Sequence, residues 1–196
     1  MKDLSQGIDK LQFINLISRN TNLFYWKNLR RKFMSILQEY EENRKILGNG
    51  RINAIEDYIE YYKEKNNKEI LYSDIVYKQQ EYELFDKWFQ DNIKPFIIVK
   101  HSEELYSLIL NENNFNKKIF NNSLQVNGYD YEELIKNYSS NKLAHLYNLD
   151  YDSEAGMFAV SSNSLLTLEE LAYSFNKDSK NIEYMKSFLP DKELDL

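Results

Sequence analysis

Three carboxylates stand at alternate positions in Asp150-Tyr151-Asp152-Ser153-Glu154, and Ala155-Gly156 lead on into the apolar run Met157-Phe158-Ala159-Val160. Alternate side chains of an extended segment point to the same face. Asp150, Asp152 and Glu154 are therefore expected to share one patch. Such a patch either holds a metal or moves protons, or it presents charge to a partner. As a calcium loop the spacing begins well, but the bend glycine expected sixth stands seventh, at Gly156. Position twelve is Ser161 rather than a bidentate glutamate, so that pattern fails. A two-metal hydrolytic site needs further carboxylates and a Lys or His base close by. Asp130, Glu132 and Glu133 are available, yet none stands at a diagnostic spacing. The reading that remains is a charged hairpin tip, where Gly156 permits the bend and Met157 and Phe158 return to the core.

Other chemistry-bearing residues are sparse. Cysteine is absent, which excludes disulfides, thiolate zinc sites and cysteine nucleophiles. The two histidines are His101 and His145. His145 lies between Leu143 and Leu146 on an expected helix, with no carboxylate following at metal-binding spacing, and is read as a packed or surface residue. His101 sits at an expected strand end beside Ser102, and no Gly-x-Ser-x-Gly elbow accompanies it. Gly48-Asn49-Gly50 follows a helical stretch rather than a strand, so it is read as a helix stop and not a phosphate cradle. The basic triplet Arg30-Arg31-Lys32 falls inside a helix with Phe33 turned inward, and reads as a solvated face. No catalytic, cofactor-binding or metal residue is assigned.

The elements that position these residues follow from composition and period. The 196 residues include 16 Tyr, 11 Phe and 2 Trp, so aromatics carry much of the apolar volume, and only 5 Gly and 2 Pro interrupt it. So few breakers argue for long helices. Apolar residues step by three and four through Leu4, Ile8, Leu11, Ile14 and Ile17. A second stripe runs from Trp26 to Leu47 and closes at Gly48-Asn49-Gly50, where glycine suits the left-handed end of a helix. A third runs from Ile52 to Tyr62 and ends at Asn66-Asn67. A fourth starts near Asp74 and carries Ile75, Gln79, Tyr82, Phe85, Trp88 and Phe89 on one face.

The character changes at Pro95. Phe96-Ile97-Ile98-Val99 reads as a strand start, and Leu105 to Leu110, strand or helix by its pattern, is close enough to form a hairpin with it. A short helix is expected over Asn113 to Asn122, burying Phe115, Ile119 and Phe120. After the Asn127-Gly128 turn a helix begins at Tyr129 or Asp130, with Leu134, Ile135, Tyr138, Leu143, Leu146 and Tyr147 on its face. Tyr151 and Met157 to Ser161 bracket a second hairpin. Helices at Leu165 to Phe175 and Ile182 to Leu189 close the chain, with Thr167 and Asp178 or Ser179 near their starts. The expected architecture is α+β: a helical region over 1–94 and an α+β domain over 95–196, with a small antiparallel sheet packed against helices.

Charge is unevenly divided. Residues 1–94 hold 16 Lys and Arg against 15 Asp and Glu, whereas residues 95–196 hold 9 against 16, within a total of −6. An acidic second half disfavours nucleic acid, which is held by clustered cations; it either favours a basic protein partner or serves solubility alone. No signal-like segment opens the chain, and no apolar run approaches the roughly 20 residues that span a bilayer. The expected setting is soluble and cytoplasmic.

Gly128-Tyr129-Asp130-Tyr131-Glu132, followed about twenty residues on by Tyr151-Asp152-Ser153-Glu154-Ala155-Gly156-Met157-Phe158, resembles the bacterial immunity protein 51 family. That pattern joins a Gly-Tyr-Asp-Trp-Glu helix start to a Phe-Asp-x-Glu-Ala-Gly-Met-Phe hairpin, and the helix after the hairpin is matched by Leu165 to Phe175. The resemblance covers about Phe96 to Leu189. Tyr131 stands where the family tends to have Trp, Tyr151 where it has Phe, and Ser161 near a position often held by Tyr. The resemblance implies an immunity protein of a polymorphic-toxin system, which blocks one cognate toxin domain by stoichiometric occlusion and without catalysis. On that view Asp150, Asp152 and Glu154, with Asp130 nearby, meet cationic groups of a basic toxin, and Tyr129, Tyr131 and Tyr151 supply rigid contact area. The rival readings are a metal-dependent hydrolase using Asp150, Asp152 and Glu154, and a helical adaptor protein.

Overall fold

The computed structural model describes residues 23–111, 115–120 and 126–190, with side chains described throughout only from residue 47 onward. The expected first helix, from Leu4 to Ile17, lies outside the described residues. Six α-helices and a four-stranded antiparallel sheet make up the described part, the α+β class that the sequence led us to expect. The chain falls into two compact units, Met1–Ile46 and Leu47–Leu196.

Helix α1 spans Leu23–Asn66 and is broken at Gly48, whose φ of 74° and ψ of 161° are not helical. Gly48 does interrupt the helix as its type suggested, but helical geometry resumes directly after it. Gly50 has a different task. A Cβ there would lie 2.6 Å from the Glu170 Cα, so the missing side chain lets two backbones approach. Asn67, in a left-handed conformation (φ 50°), follows the end of α1.

The fourth apolar stripe is two helices rather than one. Helices α2 (Tyr72–Tyr77) and α3 (Gln79–Asn92) are separated by Lys78, whose backbone is extended. The stripe survives the break because Ile75, Phe85 and Phe89 are all wholly buried. Tyr58 lies with Phe85 and Trp88 at ring-centroid distances of 5.4 Å. Burial pushes the Tyr58 hydroxyl up to about 12, with neighbouring Glu81 adding to the shift.

Strands β1 (Ile97–Ser102) and β2 (Leu105–Asn111) form the expected hairpin, so the ambiguous Leu105 to Leu110 segment is a strand. The short helix expected over Asn113 to Asn122 is described as a 3-10 turn at Lys117–Phe120, with Ile119 wholly buried and Phe120 only partly so. Helix α4 spans Gly128–Lys142. It stops short of Leu143, and Tyr147, expected on its buried face, is 72% exposed in the following loop. Strands β3 (Asp150–Tyr151) and β4 (Met157–Ser162) complete a sheet of order β1-β2-β4-β3. Helix α5 spans Leu165–Asp178, and its cap is Ser164, which accepts from the Thr167 N–H. Helix α6 spans Ile182–Lys186 and is capped by Asn181 rather than by Asp178 or Ser179.

The two faces of the sheet differ. Leu108, Leu110, Phe158 and Val160 lie on one face and are wholly buried. This core face packs on α4 and α5, where Tyr131, Leu134, Ile135, Leu168, Leu171 and Phe175 are wholly buried as well.

Residues 47–94 fall in the same compact unit as 95–196. Polar contacts explain why. The Arg51 guanidinium donates through Nε and Nη2 to both oxygens of buried Glu169, at 2.8 and 2.7 Å. Its Nη1 reaches the Tyr82 hydroxyl at 3.0 Å and the Asp86 carboxylate. Burial works against the Arg51 charge, but the Glu169 and Asp86 carboxylates outweigh it and raise its pKa above the ordinary value. Asp57 accepts from the Tyr173 hydroxyl and from Lys177, each at 2.6 Å. Asn176 donates to the carbonyls of Asn92 and Lys94.

Candidate functional site

The two sequence motifs meet in space, at the start of α4 and the tip of the β3–β4 hairpin. Asn127 caps α4: its Oδ1 accepts from the N–H groups of Tyr129 and Asp130 at 2.9 and 3.2 Å. The Asp130 carboxylate returns the bond by accepting from the Asn127 N–H at 2.9 Å. Asp130 is thereby committed to holding the helix start.

Gly128 then presses on the hairpin. Its N–H donates to the Ala155 carbonyl at 3.2 Å. A Cβ at this position would sit 2.0 Å from the Glu154 carbonyl oxygen and 2.3 Å from that of Met157. One turn along α4, the Glu132 carboxylate accepts from the Ser153 N–H at 3.1 Å and pairs with Lys136. Burial works to raise the Glu132 carboxyl, but hydrogen bonds from Lys136 and Ser153 prevail and hold it below its ordinary value. Ser153 is buried, and its Oγ accepts from the Ala159 N–H at 3.1 Å. The hairpin closes through reciprocal backbone bonds between Glu154 and Met157.

Gly156 plays no comparable part. Its φ is not left-handed, and a Cβ there would meet nothing within 4 Å. The bend expected to require this glycine is built without it.

The three carboxylates share a face, as alternation implied. Asp150 pairs with Ser161, and Tyr151 with Val160. The Asp152 N–H donates to the Ala159 carbonyl at 3.1 Å, and Glu154 bridges Met157. Asp150, Asp152 and Glu154 are all exposed, whereas Ser153 between them is buried. The face they occupy is the one opposite the core.

The tyrosines divide. Tyr129 is 57% exposed beside the hairpin tip. Tyr131 is wholly buried, with Phe115 and Phe120 edge-on to its ring at 5.4 and 5.1 Å. It therefore offers no contact area to a partner, because its aromatic bulk fills the core beneath α4. Tyr151 is half-buried, with its hydroxyl 3.1 Å from Ser139 Oγ and Lys136 Nζ 4.8 Å above its ring. Burial raises the pKa of this hydroxyl. Lys136, Ser139 and Tyr151 also line an open cleft of about 410 Å³ between α4 and the loop that follows it.

Both histidines find polar partners. His145 lies in a turn after α4, not on a helix, with Nε2 2.7 Å from the Glu170 carboxylate. His101 Nε2 lies 2.9 Å from Ser107 Oγ, which in turn lies 2.7 Å from Ser161 Oγ. Among the described residues, no three His, Asp or Glu side chains converge as a metal site requires. No helix among them is long and apolar enough to cross a membrane.

Sequence reasoning named Glu132 only as a spare carboxylate and a motif residue, and it passed over the Arg51–Glu169 pair. Glu169-Glu170, adjacent carboxylates amid the apolar stretch Leu165 to Phe175, carried a usable signal, since buried carboxylates demand partners. Arg51, beside the apolar stripe that begins at Ile52, carried its complement.

The fold and its interlocked motifs define a protein built on a four-stranded antiparallel sheet, with helices on one face and an acidic hairpin at one edge. The model of the family described as Immunity protein 51 matches residues 96–194. The chain belongs to the immunity protein 51 family. No curated protein and no solved structure matches the chain significantly.

Proposed function

We propose that this chain is an immunity protein that binds a cognate bacterial toxin domain in the cytoplasm and neutralises it by stoichiometric occlusion, without catalysing a reaction. The observation that carries this reading is the family match over 96–194, within which both motifs lie. The exposure of Asp150, Asp152 and Glu154 on one face supports a basic toxin surface as the partner, because such a field speeds encounter and selects charge. Tyr129, exposed beside the tip, and the half-exposed Tyr151 add rigid area to the same region. Asp130 contributes chiefly by fixing the helix start from which Tyr129 projects.

The reading requires a toxin-domain gene beside this chain's own, and co-expression with that toxin domain tests it. Growth should be restored, and the two chains should co-purify at a fixed ratio. Toxicity that persists at equal expression, with no complex formed, would sink the proposal.

A further inference from the structure

The sheet has a second face that the core does not use. Its register places Ile97, Ile109 and Ala159 in one row, and Val99, Ser107, Ser161 and Asp150 in the next. Asp152 extends the first row opposite Ala159, and Glu154 ends a third row beside Met157. Each of the three rows therefore terminates in a carboxylate along the β3 edge. Ile97 is 55% exposed, and Val99, Ile109, Met157, Ala159 and Ser161 are all partly exposed. The opposite face buries Leu108, Leu110, Phe158 and Val160 completely.

The centre of the open face is ordered by a hydrogen-bonded track, from His101 Nε2 to Ser107 Oγ to Ser161 Oγ, at 2.9 and 2.7 Å. These bonds satisfy the serine hydroxyls internally, and Ser107 is itself buried. The face offers apolar contact along the Ile97–Ile109–Ala159 row beside that track, and negative charge along one rim.

We propose that this open sheet face, bounded by the Asp150, Asp152 and Glu154 rim, is the platform on which the basic toxin domain docks. The proposal rests on the reading of the chain as a toxin inhibitor and assigns the surface that reading leaves open. The toxin would set apolar side chains on the Ile97–Ile109–Ala159 row and Arg or Lys side chains on the rim.

One physical argument favours that occupant over a second copy of the chain. The rows contain no Lys or Arg, so a second copy laid on this face would bring it no cation to meet the carboxylates. Covering carboxylates without a counter-charge is costly, whereas a basic partner supplies one and extends the contact past the sheet. Nucleic acid is repelled by the same rim.

The experiment measures affinity for the neighbouring gene's toxin domain with the full chain and three variants. Ile97→Lys and Ser161→Lys put a cation on the platform, and Lys180→Glu alters an exposed turn remote from it in sequence and register. Ile97 is an exposed edge-strand residue, so Ile97→Lys should fold even if Ser161→Lys does not, and thermal melting checks both. Both platform variants should weaken binding at least tenfold, with Lys180→Glu unchanged. If wild type binds and a folded Ile97→Lys variant binds equally well, the platform is wrong while the immunity reading stands. No complex with wild type overturns both. A wild-type dimer that Ile97→Lys dissociates, with toxin binding intact, assigns the face to a second copy and overturns the proposal.

Discussion

The Gly128 N–H donates to the Ala155 carbonyl at 3.2 Å, which fastens the first turn of α4 to the tip of a hairpin 27 positions further along the chain. The approach is possible only because Gly128 lacks a side chain. Its virtual Cβ lies 2.0 Å from one backbone carbonyl and 2.3 Å from another, and neither atom can move aside as a flexible side chain would. Gly128→Ala should therefore cost about 3 kcal/mol or more, at the upper end of ordinary overpacking. Gly156→Ala, where the space is open, should be neutral or should stabilise by about 0.4–1 kcal/mol through the unfolded chain. Urea unfolding of both variants checks the contrast. Equal stability for the two would mean that the helix start and hairpin are not locked as described.

Glu132 makes the same junction sensitive to acid. Its native pKa is depressed, with burial opposed and outweighed by bonds from Lys136 and Ser153. A carboxylate lowered in the folded state stabilises fully above its unfolded value, about 4.3, and loses that contribution as pH falls through the lower native value. The stability gap between wild type and Glu132→Gln should thus be widest near pH 6 and should narrow as pH falls below the unfolded value of about 4.3. Urea titrations at each pH measure it. A gap that stays constant would show that the charge does not matter.

Much of this junction was legible in the chain. Alternation alone placed Asp150, Asp152 and Glu154 on one face, since a strand's period of two leaves little choice once Tyr151 and Met157 to Ser161 bracket a hairpin. The motif order identified which two segments belong together. Their contact was not legible, because the bond from Gly128 to Ala155 depends on how α4 packs, and packing has no local period. Tyr131 was misjudged for a related reason. An aromatic beside acidic residues looks like contact area, and only the positions of Phe115 and Phe120 show that its ring fills the core. The single break at Lys78 was missed because two short helices can share one apolar stripe.

Within the unit Leu47–Leu196, residues just after Gly50 are held to helix α5 by a buried ion pair, and this gives a sharp double-variant test. Arg51 and Glu169 are 8% and 2% exposed and share two hydrogen bonds. Arg51→Met leaves the Glu169 carboxylate buried without its main counter-charge and should cost about 3–5 kcal/mol. Adding Glu169→Leu to that variant should recover a large part of the loss, because the unpaired charge is removed with its partner. Thermal or urea unfolding of the two single variants and the double reads the coupling. Additive losses would mean that Arg51 stabilises through its stacking over Phe89, 4.9 Å away, rather than through Glu169.

The carboxylate rim should behave in the opposite way, mattering for association and not for folding. Asp150, Asp152 and Glu154 are exposed, and among the described salt bridges none includes them. Replacing all three with Lys should leave the melting temperature nearly unchanged, since their backbone bonds and not their charges build the hairpin. Affinity for the toxin domain that the proposed function requires should fall at least tenfold, mostly through a slower association rate. Raising salt should slow wild-type association towards the variant's rate, because exposed charges are screened beyond about 8 Å at physiological ionic strength. A variant that binds at the wild-type rate at low salt would remove electrostatic steering from the account of how this chain recognises its partner.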